Sequence, residues 1–177
     1  MNETLKTLLT RRSCRNFKPD MITEEELQAV LEAGTFAPCG KGMQAGKIIA
    51  VTNKEIRDMI SQINCKIGGW ADGFDPFYGA PVILIVLADK TVPTYVYDGS
   101  LVAGNMMNAA ASLGLISIWI HRSKQEFDSE FGKSILKELG IEGQWEGIGH
   151  VALGYEAEPA PAPKARKEDF VHYIRSI

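Results

Sequence analysis

Six consecutive apolar residues, Val82-Ile83-Leu84-Ile85-Val86-Leu87, follow Pro81 and run into Ala88-Asp89. Successive side chains of a strand point to opposite sides of its sheet. A strand apolar at every position therefore lies in the middle of a sheet with helices over both faces. The run from Pro81 to Ala88 is far shorter than the roughly 20 residues with which a helix crosses a bilayer. It predicts a central strand, and the rest of the chain has to supply its cover.

The cover can be read along the sequence. A short amphipathic helix precedes Arg11. Thr23 with Glu26 forms a capping box that opens a second helix, striped by Leu27, Val30 and Leu31 and stopped by Gly34 and Pro38. Cys39 to Gly46 is glycine-rich, without periodicity, and reads as a loop. Lys47 to Thr52 predicts a strand. Asn53 caps a helix carrying Ile56, Met59, Ile60 and Ile63 at helical spacing, followed by a long loop from Gly68 to Gly79. Asp98 is read as the cap of a helix rich in small residues, Leu101 to Leu113, ended by Gly114. Leu115 to Ile120 predicts another strand. Ser123 with Glu126 reads as a second capping box, opening a helix with Phe127, Phe131, Ile135, Leu136 and Leu139 on one face and Gly140 at its end. Gly147 to Gly154 predicts the last strand. A proline-rich arm, Glu156 to Pro163, leads into a basic, amphipathic tail, Lys164 to Ile177. Strands separated by helices, without internal repeats, predict a sheet in two or three layers.

A length of 177 residues suits one domain, with residues 155–177 as an appended arm and tail. At 45% apolar and 23% charged residues, with a mean hydropathy of −0.07, global disorder is excluded. Nineteen basic against twenty-two acidic residues leave a net charge of −3, which excludes general attraction to nucleic acid or anionic membrane. Cys14, Cys39 and Cys65 are odd in number and widely spaced, so neither a disulfide framework nor a four-ligand zinc site is expected. The N-terminal residues lack the order of a secretion signal, and a cytoplasmic location is expected. His121, His150 and His172 are far apart and lack carboxylates at metal-ligand spacing, so no metal is expected. Phosphate-loop, GxGxxG and G-x-S-x-G motifs do not occur.

Arg11-Arg12-Ser13-Cys14-Arg15 is the first chemical signal. Guanidinium forks match two phosphate oxygens at once and keep their charge when buried. Five such residues alone read as a solvated basic turn. A second basic group, Lys164-Ala165-Arg166-Lys167, makes a shared anion the more economical reading in a chain of net negative charge.

Taken in order, four segments resemble the FMN-dependent nitroreductase family: Arg11 to Arg15, Ala37-Pro38-Cys39-Gly40-Lys41-Gly42-Met43-Gln44, the Ala- and Met-rich helix into Leu113-Gly114-Leu115, and Gly154-Tyr155 followed by the arm into Lys164-Ala165-Arg166. The resemblance implies an α+β fold with a central mixed sheet flanked by helices. It also implies a homodimer with FMN in the interface clefts and the C-terminal arm laid on the partner subunit. Arg11, Arg12, Ser13, Lys164 and Arg166 would then hold the phosphate and ribityl chain. Arg15 would lie at the N1 and C2 carbonyl edge of the ring, where a cation stabilises the negative charge of the reduced flavin. The loop of Pro38, Cys39, Gly40 and Gln44 would come from the partner, and the backbone at His121 and Arg122 would pass near the ring. No side chain is assigned proton transfer, since flavin N5 carries the chemistry.

The implied activity is reduction of an electron-poor acceptor, a nitroaromatic or quinone, by NADH or NADPH in a two-step exchange. Alternatives are a protein that only binds or sequesters FMN, a reductive dehalogenase or oxidase of the same fold, and a non-catalytic dimeric module with a basic tail. This sequence departs from the family pattern at Gly42, where many members carry Asn, and at Ala45-Gly46, where Pro-Trp is common. It also departs at Cys39 in place of Ser and at His121-Arg122 in place of an acidic residue and Gly. Cys39 has two readings, a thiol beside the flavin or an inert one, and His121 is either a proton donor or a structural histidine. The aromatics Trp70, Phe74, Phe77, Tyr78, Tyr95 and Tyr97 either line a cleft for a planar substrate or plug a core edge or an interface.

Overall fold

A computed structural model describes residues 1–160 and 162–175. Pro161 of the expected arm and Ser176 and Ile177 of the tail lie outside the described residues. The elements, in chain order, are α1 (Glu3–Thr10), α2 (Glu24–Thr35), β1 (Gly46–Val51), α3 (Lys54–Gly68), β2 (Val82–Asp89), α4 (Tyr95–Ser112), β3 (Ile116–Ile120), α5 (Ser123–Asp128), α6 (Glu130–Glu138) and β4 (Trp145–Gly154).

The strands lie in the order β1-β2-β4-β3, and each neighbouring pair is antiparallel. The expected α+β class holds. Among the described residues, the mixed character of the sheet is confined to one isolated parallel bridge, Ser13 to Ser117. β2 is buried along nearly its whole length, as its sequence demands. Val82, Leu84 and Val86 point to the side of α2 and α4, and Ile83, Ile85 and Leu87 to the side of α3, α5 and α6. Three layers result, with the sheet in the middle.

Several local signals take the expected form. Thr23 and Glu26 close the capping box of α2, and the Glu26 carboxylate also accepts from Tyr155 Oη at 2.6 Å, tying that helix to the end of β4. Asn53 caps α3 by accepting from Ile56 N. Gly114 and Gly140 take left-handed backbone just past α4 and α6, as a helix-ending glycine does.

Four local expectations are corrected. Gly34 does not stop α2; it lies in the last turn, where a Cβ would stand 2.7 Å from Ile48 Cδ1, so its bareness serves close packing. Asp98 is not a cap, because α4 starts at Tyr95 and Asp98 is buried in its first turn. Ser123 and Glu126 form no capping box. Arg122, in left-handed backbone, precedes α5, while the Glu126 side chain turns into the core. The single expected helix is two, divided at Ser129, whose Oγ donates to Glu126 O at 2.5 Å and caps α6.

Candidate active site

The segment Arg11–Arg15 is stitched to the outer edge of β3. Ser13 bridges Ser117, and Cys14 N donates to Ser117 O at 3.2 Å. Beyond it, Lys18 N donates to Tyr155 O and Ala157 N to Asn16 O. Along this extended piece Cys14 and Phe17 are buried, and Arg15 and Asn16 between them are exposed. Burial pushes the Cys14 thiol up to about 11, helped by its hydrogen bond to Glu156 Oε1 at 3.4 Å. It is an inert thiol.

Arg12 Nη1 donates to Leu9 O at 2.9 Å and Arg11 O at 2.7 Å, closing the end of α1. Arg12 Nε, Arg11 Nη1 and Ser117 Oγ are buried yet have no partner among the described residues. All three residues line a cavity of about 230 Å³, together with Ala111 and Gly114 at the C-terminal end of α4 and with Glu156, whose Oε1 is taken by Cys14 Sγ and Ala160 N. Buried donors without acceptors are costly, of order 1–3 kcal/mol each. These three suit an anion.

The loop Pro38, Cys39, Gly40 and Gln44 is held at the other end of α4. Gly40 N donates to Asp98 Oδ1 at 3.0 Å, and Thr94 Oγ1 to Asp98 Oδ2 at 2.9 Å. A Cβ on Gly40 would sit 2.3 Å from Thr94 Oγ1, so only glycine fits there. Gln44 N donates to Cys39 Sγ at 3.3 Å, and Gln44 itself is exposed with φ +50°. Asp98 is the loop's anchor, which a local reading takes for a helix cap; an acidic residue in a first turn is the shared signal. From Asp98 to Ala111 runs thirteen residues of α4, about 20 Å at the α-helical rise. The loop and the arginine segment are therefore not brought together within one chain. Lys164 and Arg166 are exposed on the tail and take part in none of the side-chain hydrogen bonds or ion pairs of the described residues.

His121 and Arg122 lie on the turn from β3 into α5. A buried polar network, invisible to local sequence reading, fixes that turn. Asn64 Nδ2 donates to His121 O at 3.0 Å and to Glu126 Oε1 at 2.6 Å, and Glu126 Oε2 meets His150 Nε2 at 2.7 Å. Asn64, Glu126 and His150 are all buried. His150 is thus a satisfied core histidine. His121 is exposed and stacks on Trp119, with ring centroids 5.4 Å apart.

The aromatic residues divide. Phe77 is fully buried and plugs the core against His150. Tyr95 and Tyr97 belong to the first turn of α4. Trp70, Phe74 and Tyr78 form a row, with centroids 5.1 and 6.1 Å apart. The Arg122 guanidinium lies 4.3 Å from the Trp70 ring centre and that of Arg15 5.8 Å from the Tyr78 ring centre. Asp75 holds this loop from below: its oxygens accept from Ser61 Oγ, Phe77 N and Gly79 N at 2.7, 2.9 and 2.7 Å, and from Arg57. Burial alone would raise the Asp75 carboxyl; these donors outweigh it and keep the group below the usual carboxylate range.

A three-layer α+β core with orphaned guanidinium N–H groups at one sheet edge and an aromatic row that meets Arg15 of the same segment suits a planar ligand that carries phosphate. The family profile described as Nitroreductase family matches residues 8–67. The fold superposes on a nitroreductase with bound FMN from Bacteroides fragilis, at 30% identity over 98% of this chain and 100% of the other, with a TM-score of 0.87. A second nitroreductase with bound FMN, from Desulfitobacterium hafniense, matches at 32% identity over 98% and 99% of the two chains, with a TM-score of 0.87. An NADPH-flavin oxidoreductase from Vibrio harveyi is 33% identical over 129 residues, which is 68% of this chain and 54% of that protein. The chain belongs to the nitroreductase family.

Proposed function

We propose that the protein is an FMN-dependent oxidoreductase that uses NADH or NADPH to reduce electron-poor acceptors such as nitroaromatics or quinones. The observation that carries this reading is the set of buried Arg11 Nη1, Arg12 Nε and Ser117 Oγ, without partners among the described residues, at the edge of β3 in a chain of this family. Two FMN-bound relatives of nearly equal length support it.

Arg11 and Arg12 would hold the FMN phosphate, with Ser13 on the ribityl side and Lys164 and Arg166 of the tail completing the anion site. Bound FMN supplies a two-electron carrier that the nicotinamide nucleotide reduces and the acceptor re-oxidises. Arg15 presents a fixed positive charge to the ring edge, a stabilisation that needs no proton transfer from the protein. The His121-Arg122 turn, held by Asn64, closes the other side.

The protein works as a homodimer in this reading. Pro38, Cys39, Gly40 and Gln44 sit about 20 Å along α4 from the arginine segment, so they serve the site of the partner. The exposed apolar residues Leu5, Leu8 and Leu9 of α1 and Phe170, Val171, Tyr173 and Ile174 of the tail supply contact surface. Three free thiols suit a reducing cytoplasm.

The test is the visible spectrum of the purified protein, followed by anaerobic addition of NADH and then NADPH. About one FMN per chain, bleached by either nucleotide, is the expected result. Lys164→Ala is expected to weaken FMN retention and Arg15→Ala to slow reduction. A colourless protein that takes up no added FMN overturns the reading; a yellow protein that neither nucleotide bleaches leaves only an FMN binder.

A further inference from the structure

We propose that Asn64, backed by Glu126 and His150, is a positioning residue for the FMN ring: it draws the His121 carbonyl into the core and so turns the Arg122 N–H outward as a donor to that ring. The proposal rests on the FMN oxidoreductase reading and adds to that site three buried residues that touch no ligand themselves.

Three successive carbonyls at the end of β3 are tied down. Ile120 O lies 3.4 Å from His150 Nδ1, His121 O accepts from Asn64 Nδ2 at 3.0 Å, and Arg122 O accepts from Glu126 N at 3.1 Å. Glu126 links them, since Oε1 accepts from Asn64 Nδ2 at 2.6 Å and Oε2 meets His150 Nε2 at 2.7 Å. Both partners of that Asn64 nitrogen are oxygens, so chemistry settles which way the amide points. In a trans peptide the N–H points opposite to the carbonyl of the same unit. His121 O faces Asn64 on α3; the Arg122 N–H therefore faces away from α3, and it has no partner among the described residues. Arg122 is held in left-handed backbone, φ +82°, which a residue with a Cβ keeps only where its surroundings impose it. The buried network is that surrounding.

The side to which the N–H turns also carries the anion cavity. Ile116, Ile118 and Ile120 of β3 pack into the core cluster on the side of α3, α5 and α6. Strand alternation sends Ser117 and Trp119 to the side of α4. Ser117 Oγ is buried without a partner among the described residues, in the cavity beside Ala111 and Gly114. The Trp119 ring lies across β4, with Nε1 2.4 Å from where a Cβ on Gly149 would stand, and it keeps 42% of its surface exposed. His121 tilts against it with ring centroids 5.4 Å apart. From Ser117 to Arg122 the extended chain covers about 16 Å. A ligand with its phosphate at Ser117 and its ring over Trp119 runs along that side toward the Arg122 N–H. A donor fixed before the ring arrives needs no reorganisation to meet it.

The experiment is residue-resolved amide hydrogen exchange, read by NMR on isotope-labelled holoenzyme and on the same protein stripped of FMN. In the unaltered chain FMN is expected to slow exchange at the Arg122 amide about tenfold or more, the worth of one hydrogen bond. The side-chain N–H groups of Asn64 should stay protected in both states. Asn64→Ala and Glu126→Ala should lose most of the FMN-dependent protection at Arg122, and Glu126→Gln, which keeps both contacts, should regain it. Val30→Ala, a truncation in the other core cluster, should keep it. Equal exchange at Arg122 with and without FMN, in a protein that holds FMN, overturns the proposal and leaves the FMN reading standing. Release of the Asn64 side chain on FMN binding does the same without any variant. Full protection in Asn64→Ala, or a loss in Val30→Ala as large as in Asn64→Ala, also overturns it. A protein that holds no FMN overturns both.

Discussion

Replacing Glu126 by alanine removes the centre of the buried network. Two buried groups lose a partner at once: Asn64 Nδ2, 2.6 Å from Oε1, which keeps only His121 O for its two N–H bonds, and the His150 ring, with Nε2 2.7 Å from Oε2. Neither can turn to water, because Asn64 and His150 are both fully buried. An orphaned buried donor costs about 1–3 kcal/mol, and truncating a packed side chain leaves a cavity besides. The expected loss is about 3–5 kcal/mol, within the range for breaking a buried pair from one side. For a chain of this length it lowers Tm by roughly 6–20 °C. Glu126→Gln keeps the shape, accepts from Asn64 through its carbonyl and donates to the His150 ring through its amide, so it should cost only about 1 kcal/mol. Thermal melts at one fixed protein concentration decide. Equal losses for the two variants, or a loss below 1 kcal/mol for alanine, would show that the network contributes packing only.

Two further outcomes are expected. Asp75→Asn should destabilise by about 1–3 kcal/mol at pH 7 through loss of its charged hydrogen bonds. Because the folded carboxyl lies below its unfolded value, that contribution is present above about pH 4 and disappears as pH falls through the folded pKa, so variant and parent should converge in acid melts. Gly147→Ala would place a Cβ 2.2 Å from Ser123 O, a backbone atom, whereas at Gly34 it meets the movable ends of Ile48 and Met106. Urea unfolding should show the larger loss at Gly147, of order 1–3 kcal/mol.

What was legible in the sequence was what depends on neighbours in the chain. The apolar run of β2 demanded cover on both faces and received it. The Thr23 and Asn53 caps are satisfied within three residues. Ser123 and Glu126 have the same local grammar, yet a buried histidine 24 residues away takes the carboxylate, and no local pattern shows it. The same holds for α3. Its apolar positions Ile56 and Met59 are half exposed, while Arg57, Ser61 and Asn64 turn inward because Asp75, Ala80 and His121 supply their partners. The aromatic loop could not be divided by composition. Asp75 decides which rings face in, since its hydrogen bonds to Phe77 N and Gly79 N set the turn that buries Phe77 and leaves Phe74 open.

Arg122 has φ +82°, a left-handed conformation that costs a residue with a Cβ about 1–2 kcal/mol and glycine nothing. Stability alone would therefore favour glycine on that turn. Against the relief stand the contact with Trp70, worth about 0.5–1 kcal/mol at an exposed site, and the extra freedom of glycine in the unfolded chain, about 0.4–1 kcal/mol. The terms nearly cancel, so Arg122→Gly should melt within about 1 kcal/mol of the parent. A loss above 2 kcal/mol in Arg122→Gly, read in thermal melts, would instead make the arginine a brace that ties the turn to the aromatic loop through Trp70.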